Sequence, residues 1–379
     1  MKTVDSIADT ANIIALGQRN LPSRDQYDTA MRDIFARRYY TNQGPLAREF
    51  EARLQRFLDA RHVICVTNPT IGLMMAFDAA GIRGSALVPA TGHPGLRHAL
   101  NWCGIEAMAC DVDIATAHLR VDHASSLLGT HKATALIGSG LSDDAAALSR
   151  LGESHGIPVL FESLQAFAAR EPGSGSRVAG QIEVFAFGLD DIVYAGGGAC
   201  VATDDDVLAA RLRNIRSSYG AGAPVPVEKT SNGRMSEAQA VLGLLGLDRY
   251  AERRAHNSVL FETYRERLNA VDGVRVIEPG RATASNYQSL VCEIVAQEYG
   301  FSRDELIVKL AANGVESRPA FADLTAGNDA GAFAGAAWIN ASWLALPLGA
   351  HLDVADVGRI CDLIASISAM RDSKGGVSA

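Results

Sequence analysis

Apolar residues recur at helical spacing in "PLAREFEARLQRFLDA", where Leu46, Phe50, Leu54, Phe57 and Leu58 share one face. The run that follows, "HVICVTN", is short and β-rich and ends in a turn, and "TIGLMMAFDAAGI" after it is apolar all round, as a buried helix is. From there "SALVPA", "HALNWCGI", "EAMACDVD", "TALIGS", "DAAALSRLGESHGI", "PVLFES", "EVFAFG" and "GACVATDDD" alternate strand and helix. Alternation of this kind predicts an α/β layered domain with a largely parallel sheet. "DDDVLAARLRNIRSSYG" predicts an amphipathic helix with an acidic first turn and a basic last turn, as the helix dipole favours. A Pro/Gly-rich loop over 220–233 precedes a helical stretch over about 235–270. "GVRVIEP", "NYQSLVCEIV", "SRDELIVKLAANGV", "ESRPAF" and a last helix over 354–370 then make a smaller α+β unit. The division expected is an N-terminal segment with the large domain over 1–250 and a small C-terminal domain over 251–379.

Charge and composition narrow the functions open to such a chain. The formal charge of −8 over 379 residues is spread without a basic run, which argues against a nucleic-acid backbone or an anionic membrane as partner. No apolar run is long enough to span a bilayer, and the N-terminus lacks the pattern of a secretory signal. Six cysteines without a C-x-x-C pair point to a reducing, cytoplasmic compartment and to no metal site. Only five of the 35 basic residues are lysines: Lys2, Lys132, Lys229, Lys309 and Lys374.

Six stretches agree in order and spacing with one family. "YYTNQGPLAREFEARL" (39–54), "VTNPTIGL" (66–73), "CDVD" (110–113), "GIPVLFESLQAF" (156–167), "NGRMSEAQAVLGL" (232–244) and "LALPLGAHL" (344–352) carry the likeness. The chain resembles the DegT/DnrJ/EryC1/StrS sugar aminotransferases, pyridoxal-phosphate (PLP) proteins of fold type I. That resemblance implies a large domain with a mixed, mostly parallel seven-stranded sheet and a small C-terminal α+β domain. It also implies a homodimer with shared active sites and a sugar nucleotide or related small molecule as substrate.

The resemblance also implies where the chemistry sits. The family lysine that forms the Schiff base falls on Asp191 counted from "FAFGLDD", or on Asp190 counted back from "GGA", and a carboxylate cannot form an imine. Glu162 takes the place of the carboxylate on the pyridine nitrogen, and His93 that of the ring stacked on the cofactor. Thr70, Gln165 and Asn232 match cofactor contacts, whereas Pro69 and Ala186 replace two phosphate-binding residues. Tyr40, Arg234 and Arg318 are candidate substrate contacts, the arginines as partners for phosphate or carboxylate. The resulting expectation is an aminotransferase homologue without a covalently bound cofactor, PLP or pyridoxamine phosphate (PMP) being the variants. It would do acid–base chemistry such as dehydration, epimerisation or cyclisation with Asp191, Asp190, Glu162 and His93 as its polar centre. A non-catalytic subunit paired with an active aminotransferase, and a PMP-dependent dehydratase-like enzyme, are the alternatives.

Overall fold

The structure, a computed structural model, describes residues 13–139, 145–169, 178–217, 224–278, 285–325 and 332–374. Its large sheet is built from β1 (His62–Val66), β2 (Ser85–Pro89), β4 (Glu106–Cys110), β5 (Ala135–Ser139), β6 (Val159–Glu162), β7 (Ile182–Phe187) and β8 (Gly198–Thr203). The spatial order is β1-β8-β7-β6-β5-β2-β4, with β8 antiparallel to both neighbours and the other pairs parallel. The short β3 (Thr91–Gly92) stands apart and pairs with a later segment. The seven strands and the mixed, mostly parallel pairing agree with the expected fold class.

Helices cover both faces, as parallel strands require. On one face lie α3 (Pro69–Ala79), α4 (Pro94–Trp102) and α7 (Asp206–Arg216), and on the other α2 (Pro45–Leu58) and α8 (Glu237–Asp248). The strand β7 shows the arrangement in miniature: Val184 and Ala186 pack with the first set, Phe185 and Phe187 with the second. Towards the β4 edge, α5 (Val121–Thr130) and α6 (Ala145–His155) cover a smaller cluster around Leu136 and Phe161. Preceding them all is α1 (Arg24–Arg37), which the periodicity did not predict; it buries only Ala30 and Ile34, so its apolar stripe is faint.

The C-terminal unit has a four-stranded antiparallel sheet ordered β11-β13-β10-β9, from β9 (Val274–Val276), β10 (Leu290–Ile294), β11 (Arg318–Pro319) and β13 (Trp343–Leu346). The short β12 (Ala322–Asp323) leaves this unit to pair with β3 at the cleft edge. Its helices are α9 (Tyr250–Leu268), α10 (Ala296–Tyr299), α11 (Arg303–Ala312), α12 (Ala334–Ser342) and α13 (Val354–Lys374). The helical stretch over 235–270 is two helices, broken at Arg249 (φ −98°, ψ 4°), because α8 packs on the large sheet while α9 packs with Tyr299, Leu306 and Ile360 of the small unit. The segment before α1 touches both units: Ile14 bridges Val315 and the Gln18 amide donates to the carbonyls of Gln288 (2.7 Å) and Leu348 (2.9 Å) in the small unit, while Asn20 Nδ2 donates to Ile192 O (3.0 Å) of the large domain.

Two residues of the quoted motifs are long-range helix caps. The N-cap of α2 is Gly44, which has no side chain to receive the first free N–H groups; the buried carboxylate of Glu237 accepts from Leu46 N and Ala47 N, each at 3.0 Å. Likewise Asp111 accepts from Gly335 N (3.1 Å) and Ala336 N (3.0 Å) at the start of α12. Glu237→Ala is expected to cost about 2–3 kcal/mol, the range for buried hydrogen bonds to a charged group, read as a lower urea midpoint; an unchanged midpoint would contradict the capping role.

Candidate active site

The parallel strands end along one edge of the sheet, and a cleft of about 670 Å³ opens there against the small unit. Pro89 of β2, Ser139 of β5 and Glu162 of β6 bring the C-terminal ends of three parallel strands to its wall, while Arg318 and Phe321 close it from the small unit. Six of the ten candidate site residues line this cleft, Asp191, Asp190, Glu162, His93, Gln165 and Arg318, as do Pro69 and Ala186.

The two adjacent aspartates have different surroundings. Asp190 pairs with Arg318 at 2.8 Å, each with 47% of its side chain exposed, so this pair is solvated and adjustable. Asp191 is buried: Oδ2 accepts from Gly188 N and Oδ1 from the amide of Gln288 at 3.1 Å. Burial pushes its carboxyl up to about 7 against these hydrogen bonds, with Asp190 adding to the rise and Arg318 opposing it. Glu162 is likewise pushed up to about 7 by burial, although it accepts from Leu164 N at 3.2 Å; the charge of Asp191 adds to the rise. Two carboxyl groups in this state have no lysine beside them. No lysine lines the cleft among the described residues: Lys229 and Lys132 are exposed elsewhere, and Lys309 lies over the Phe301 ring.

His93 is the N-cap of α4, and its Nδ1 accepts from Gly95 N at 3.0 Å, which leaves Nε2 to carry the proton in the neutral ring. Burial lowers its pKa and Arg318 lowers it further, against the opposing charge of Asp190, which favours the neutral imidazole. At the start of α3, Pro69 has no N–H and the Asn68 side chain takes that of Ile71 (2.9 Å), which leaves Thr70 as the donor of that turn. Thr70 Oγ1 lies 3.8 Å from the space a Cβ on Gly95 would fill, beside His93.

Four candidates do not line the cleft of their own chain: Thr70, which follows the cleft residue Pro69, and Asn232, Arg234 and Tyr40. Asn232 is exposed and accepts from Arg234 through Oδ1 (3.1 Å and 3.3 Å), and Arg234 bridges Val66 at the end of β1. Tyr40 is exposed and its ring lies 5.4 Å from that of Phe35. Conversely, the sequence reading missed His118, a buried cleft residue, and Gln288. His118 stands on the turn between Val112 and Leu119, and nothing in its local pattern distinguishes it; Gln288 reaches Asp191 only through tertiary packing.

Among the described residues no cluster of His, Cys, Asp or Glu forms a metal site, and no helix is long and apolar enough to cross a membrane. The architecture is that of fold type I aminotransferases. A family model for the DegT/DnrJ/EryC1/StrS aminotransferase family matches residues 23–365, and the chain belongs to that family. It is 24% identical over 314 residues to the dTDP-4-amino-4,6-dideoxy-D-glucose transaminase of Shigella dysenteriae, covering 81% of this chain and 84% of the relative. Among solved structures it is similar to DesI in the presence of its TDP-sugar product (29% identity, TM-score 0.90, 96% of this chain and 95% of that one). The S. venezuelae DesV in complex with a ketimine intermediate shares the fold (23% identity, TM-score 0.81, 91% and 95%).

These relatives correct one expectation. A cleft without a covalently bound cofactor, with PLP or PMP only as variants, does not describe a family of aminotransferases that includes a relative caught with a ketimine; PLP is expected rather than absent. An aspartate at the register of the family lysine bears only on the imine, which is one of several contacts that hold such a cofactor. Glu162 fits the group: a buried carboxyl raised to about 7 is short of a cationic partner, and a protonated pyridine nitrogen is one.

A raised acid pKa sets the sign of a stability test. In the unfolded chain Glu162 loses its proton near 4.5, while in the fold it keeps it to about 7, so its ionisation weakens the fold as pH rises between the two. Glu162→Gln is therefore expected to stabilise the cofactor-free protein at pH 8, on the order of 3 kcal/mol at most, and to leave it unchanged near pH 4.5. Denaturant titrations at the two pH values measure this, and equal effects at both would contradict the assignment.

Proposed function

We propose that the cleft takes a nucleotide-activated sugar together with PLP or PMP, and that Asp191 handles the protons of the reaction. The observation that carries this reading is a buried carboxyl poised near pH 7 in a cleft whose described residues include no lysine. Support for the substrate class comes from the relatives, a dTDP-amino-sugar transaminase and a protein solved with its TDP-sugar product.

Each residue then has a part set by its surroundings. When bound, the cofactor supplies an electron sink conjugated with the reacting carbon. Glu162 would pair with its ring nitrogen, and Thr70 with the first turn of α3 would hold its phosphate. Asp191, ionised, takes a proton from carbon and, protonated, returns it to carbon or to a departing hydroxyl, which gives epimerisation or loss of water. The neutral His93 donates from Nε2, and Gln165 contacts the bound group. Arg318, solvated and paired with Asp190, would turn to a substrate phosphate.

The reading includes a homodimer in which Asn232 and Arg234, outside the cleft of their own chain, serve the neighbouring one, with Tyr40 as a further substrate contact. The chain divides in function as it does in sequence, with 1–250 carrying the cofactor side and 251–379 closing over the substrate. Six unpaired thiols support a reducing, cytoplasmic setting.

Two experiments test this. Gel filtration after incubation with PLP or PMP is expected to return protein with about one cofactor per chain by absorbance, and Glu162→Gln or Asn232→Ala to retain less; failure to retain either vitamer would sink the reading. With cofactor and a dTDP- or GDP-linked 4-keto-6-deoxyhexose in D₂O, proton NMR is expected to show exchange of a carbon-bound sugar proton. Asp191→Asn should slow that exchange by about 10²-fold or more; unchanged exchange would remove Asp191 from the chemistry.

A further inference from the structure

Asp191 receives its second hydrogen bond from outside the large domain. The donor, Gln288, stands two residues before β10 of the small unit and is 3% exposed. Its amide can face only one way, because Oε1 accepts from Asn286 Nδ2 (3.1 Å) and from Ile192 N (3.4 Å), which leaves Nε2 for Asp191 Oδ1 (3.1 Å). Asn286 is fixed in turn: its Oδ1 accepts from Gln288 N (3.0 Å) and its Nδ2 also donates to Phe167 O (3.0 Å).

A second chain of amides holds the backbone of Gln288. Its carbonyl accepts from Gln18, which is fully buried and whose own Oε1 accepts from Asn257 (2.8 Å) and Asn20 (3.2 Å). Asn20 also donates to Ile192 O (3.0 Å), the residue after Asp191. Three parts of the chain thus converge on one carboxylate: the segment before α1, Asn257 within α9 and the approach to β10.

We infer that Gln288 is a positioning residue, which turns the Asp191 carboxylate toward the cleft and ties its orientation to the seating of the small unit and the N-terminal segment. Alternative duties for this amide are weak. Packing alone would be served by an apolar side chain, and the buried amides around it would then be a cost without return. The inference rests on the proposed function only for its catalytic consequence.

The donated bond favours the ionised carboxylate, so the test is a pH dependence. The other charged groups facing Asp191 are Asp190 and Arg318 in the cleft, Glu162 at the end of β6, and Arg253 of α9, which donates to Ile192 O and Asn20 O. None of these changes in the variants below. Gln288→Glu keeps the acceptor for Asn286 and Ile192 but sets oxygen against oxygen at Asp191. Its melting temperature is expected to stay near wild type at pH 5, where a shared proton restores the bond, and to fall by about 5 °C or more at pH 8.5. In Asp191→Asn/Gln288→Glu the new amide can donate to the new carboxylate while its oxygen still accepts from Gly188, so most of the loss at pH 8.5 should return.

Equal losses at both pH values, or no recovery in the double variant, would overturn the inference and leave Gln288 as packing. Should Gln288→Glu fail to fold, Gln288→Met provides the same measurement: its loss should be larger at pH 8.5 than at pH 5, and that difference should vanish in an Asp191→Asn background. Melting curves need no substrate. The expected pattern together with undiminished sugar-proton exchange in Asp191→Asn would therefore reject the proposed chemistry while keeping the contact.

Discussion

Removing a carboxylate from water costs several kcal/mol unless something replaces the lost solvation, and this fold does so at two neighbouring positions under one cleft. Asp191 and Glu162 stand at the C-terminal edge of a parallel sheet, where strand ends leave polar backbone unspent and helices begin. Each keeps some compensation, from Gly188 and Gln288 for the first and from Leu164 for the second, yet both remain near neutrality in the balance of charge. On the proposed function, an arrangement that is costly to the fold would be useful once a cationic ring or a polar substrate is bound, because binding would relieve what folding imposed.

The quoted motifs divide into two physical duties, which explains why so much of the family pattern coexists with a changed cleft. Glu237 of "MSEAQA" caps α2, and Asp111 of "CDVD" caps α12, each from far along the chain. Gly243 in the same helix as Glu237 admits the Phe50 ring, which lies 2.4 Å from the space a Cβ would fill. Such residues answer to helix ends and packing, so they can remain while Pro69, Ala186 and the aspartates of the cleft take on other surroundings.

Periodicity made most of the fold legible. The long apolar stripes of α2 and α9 and the β-rich runs ending in turns are set by burial over many residues, so local pattern and tertiary structure agree. It failed at α1, whose apolar stripe is two buried residues wide, and at Arg249, where the chain stays helix-forming by composition but must change direction between two cores. Within the site, strand ends and loop residues such as Glu162, His93 and Asp191 were legible through their motif register. Gln288 and His118 were not, because no spacing in the chain encodes the approach of the small unit to the cleft. The aspartates at the register of the family lysine were legible as well, yet they do not decide whether the cofactor binds, and the relatives point to PLP.

Adjacent in sequence, Asp190 and Asp191 show why register alone could not choose between them. The choice lies in which neighbour each meets: a guanidinium in solvent for Asp190, a locked amide in the interior for Asp191. A solvated ion pair rearranges at little cost, which on the proposed function would let Asp190 release Arg318 to a substrate phosphate. A carboxylate fixed by two directed donors has one orientation, and a proton transfer needs its acceptor already in place. The two side chains therefore differ in rigidity, Asp190 in an adjustable, solvated pair and Asp191 buried and fixed, and on the proposed function they would divide the work of the cleft accordingly.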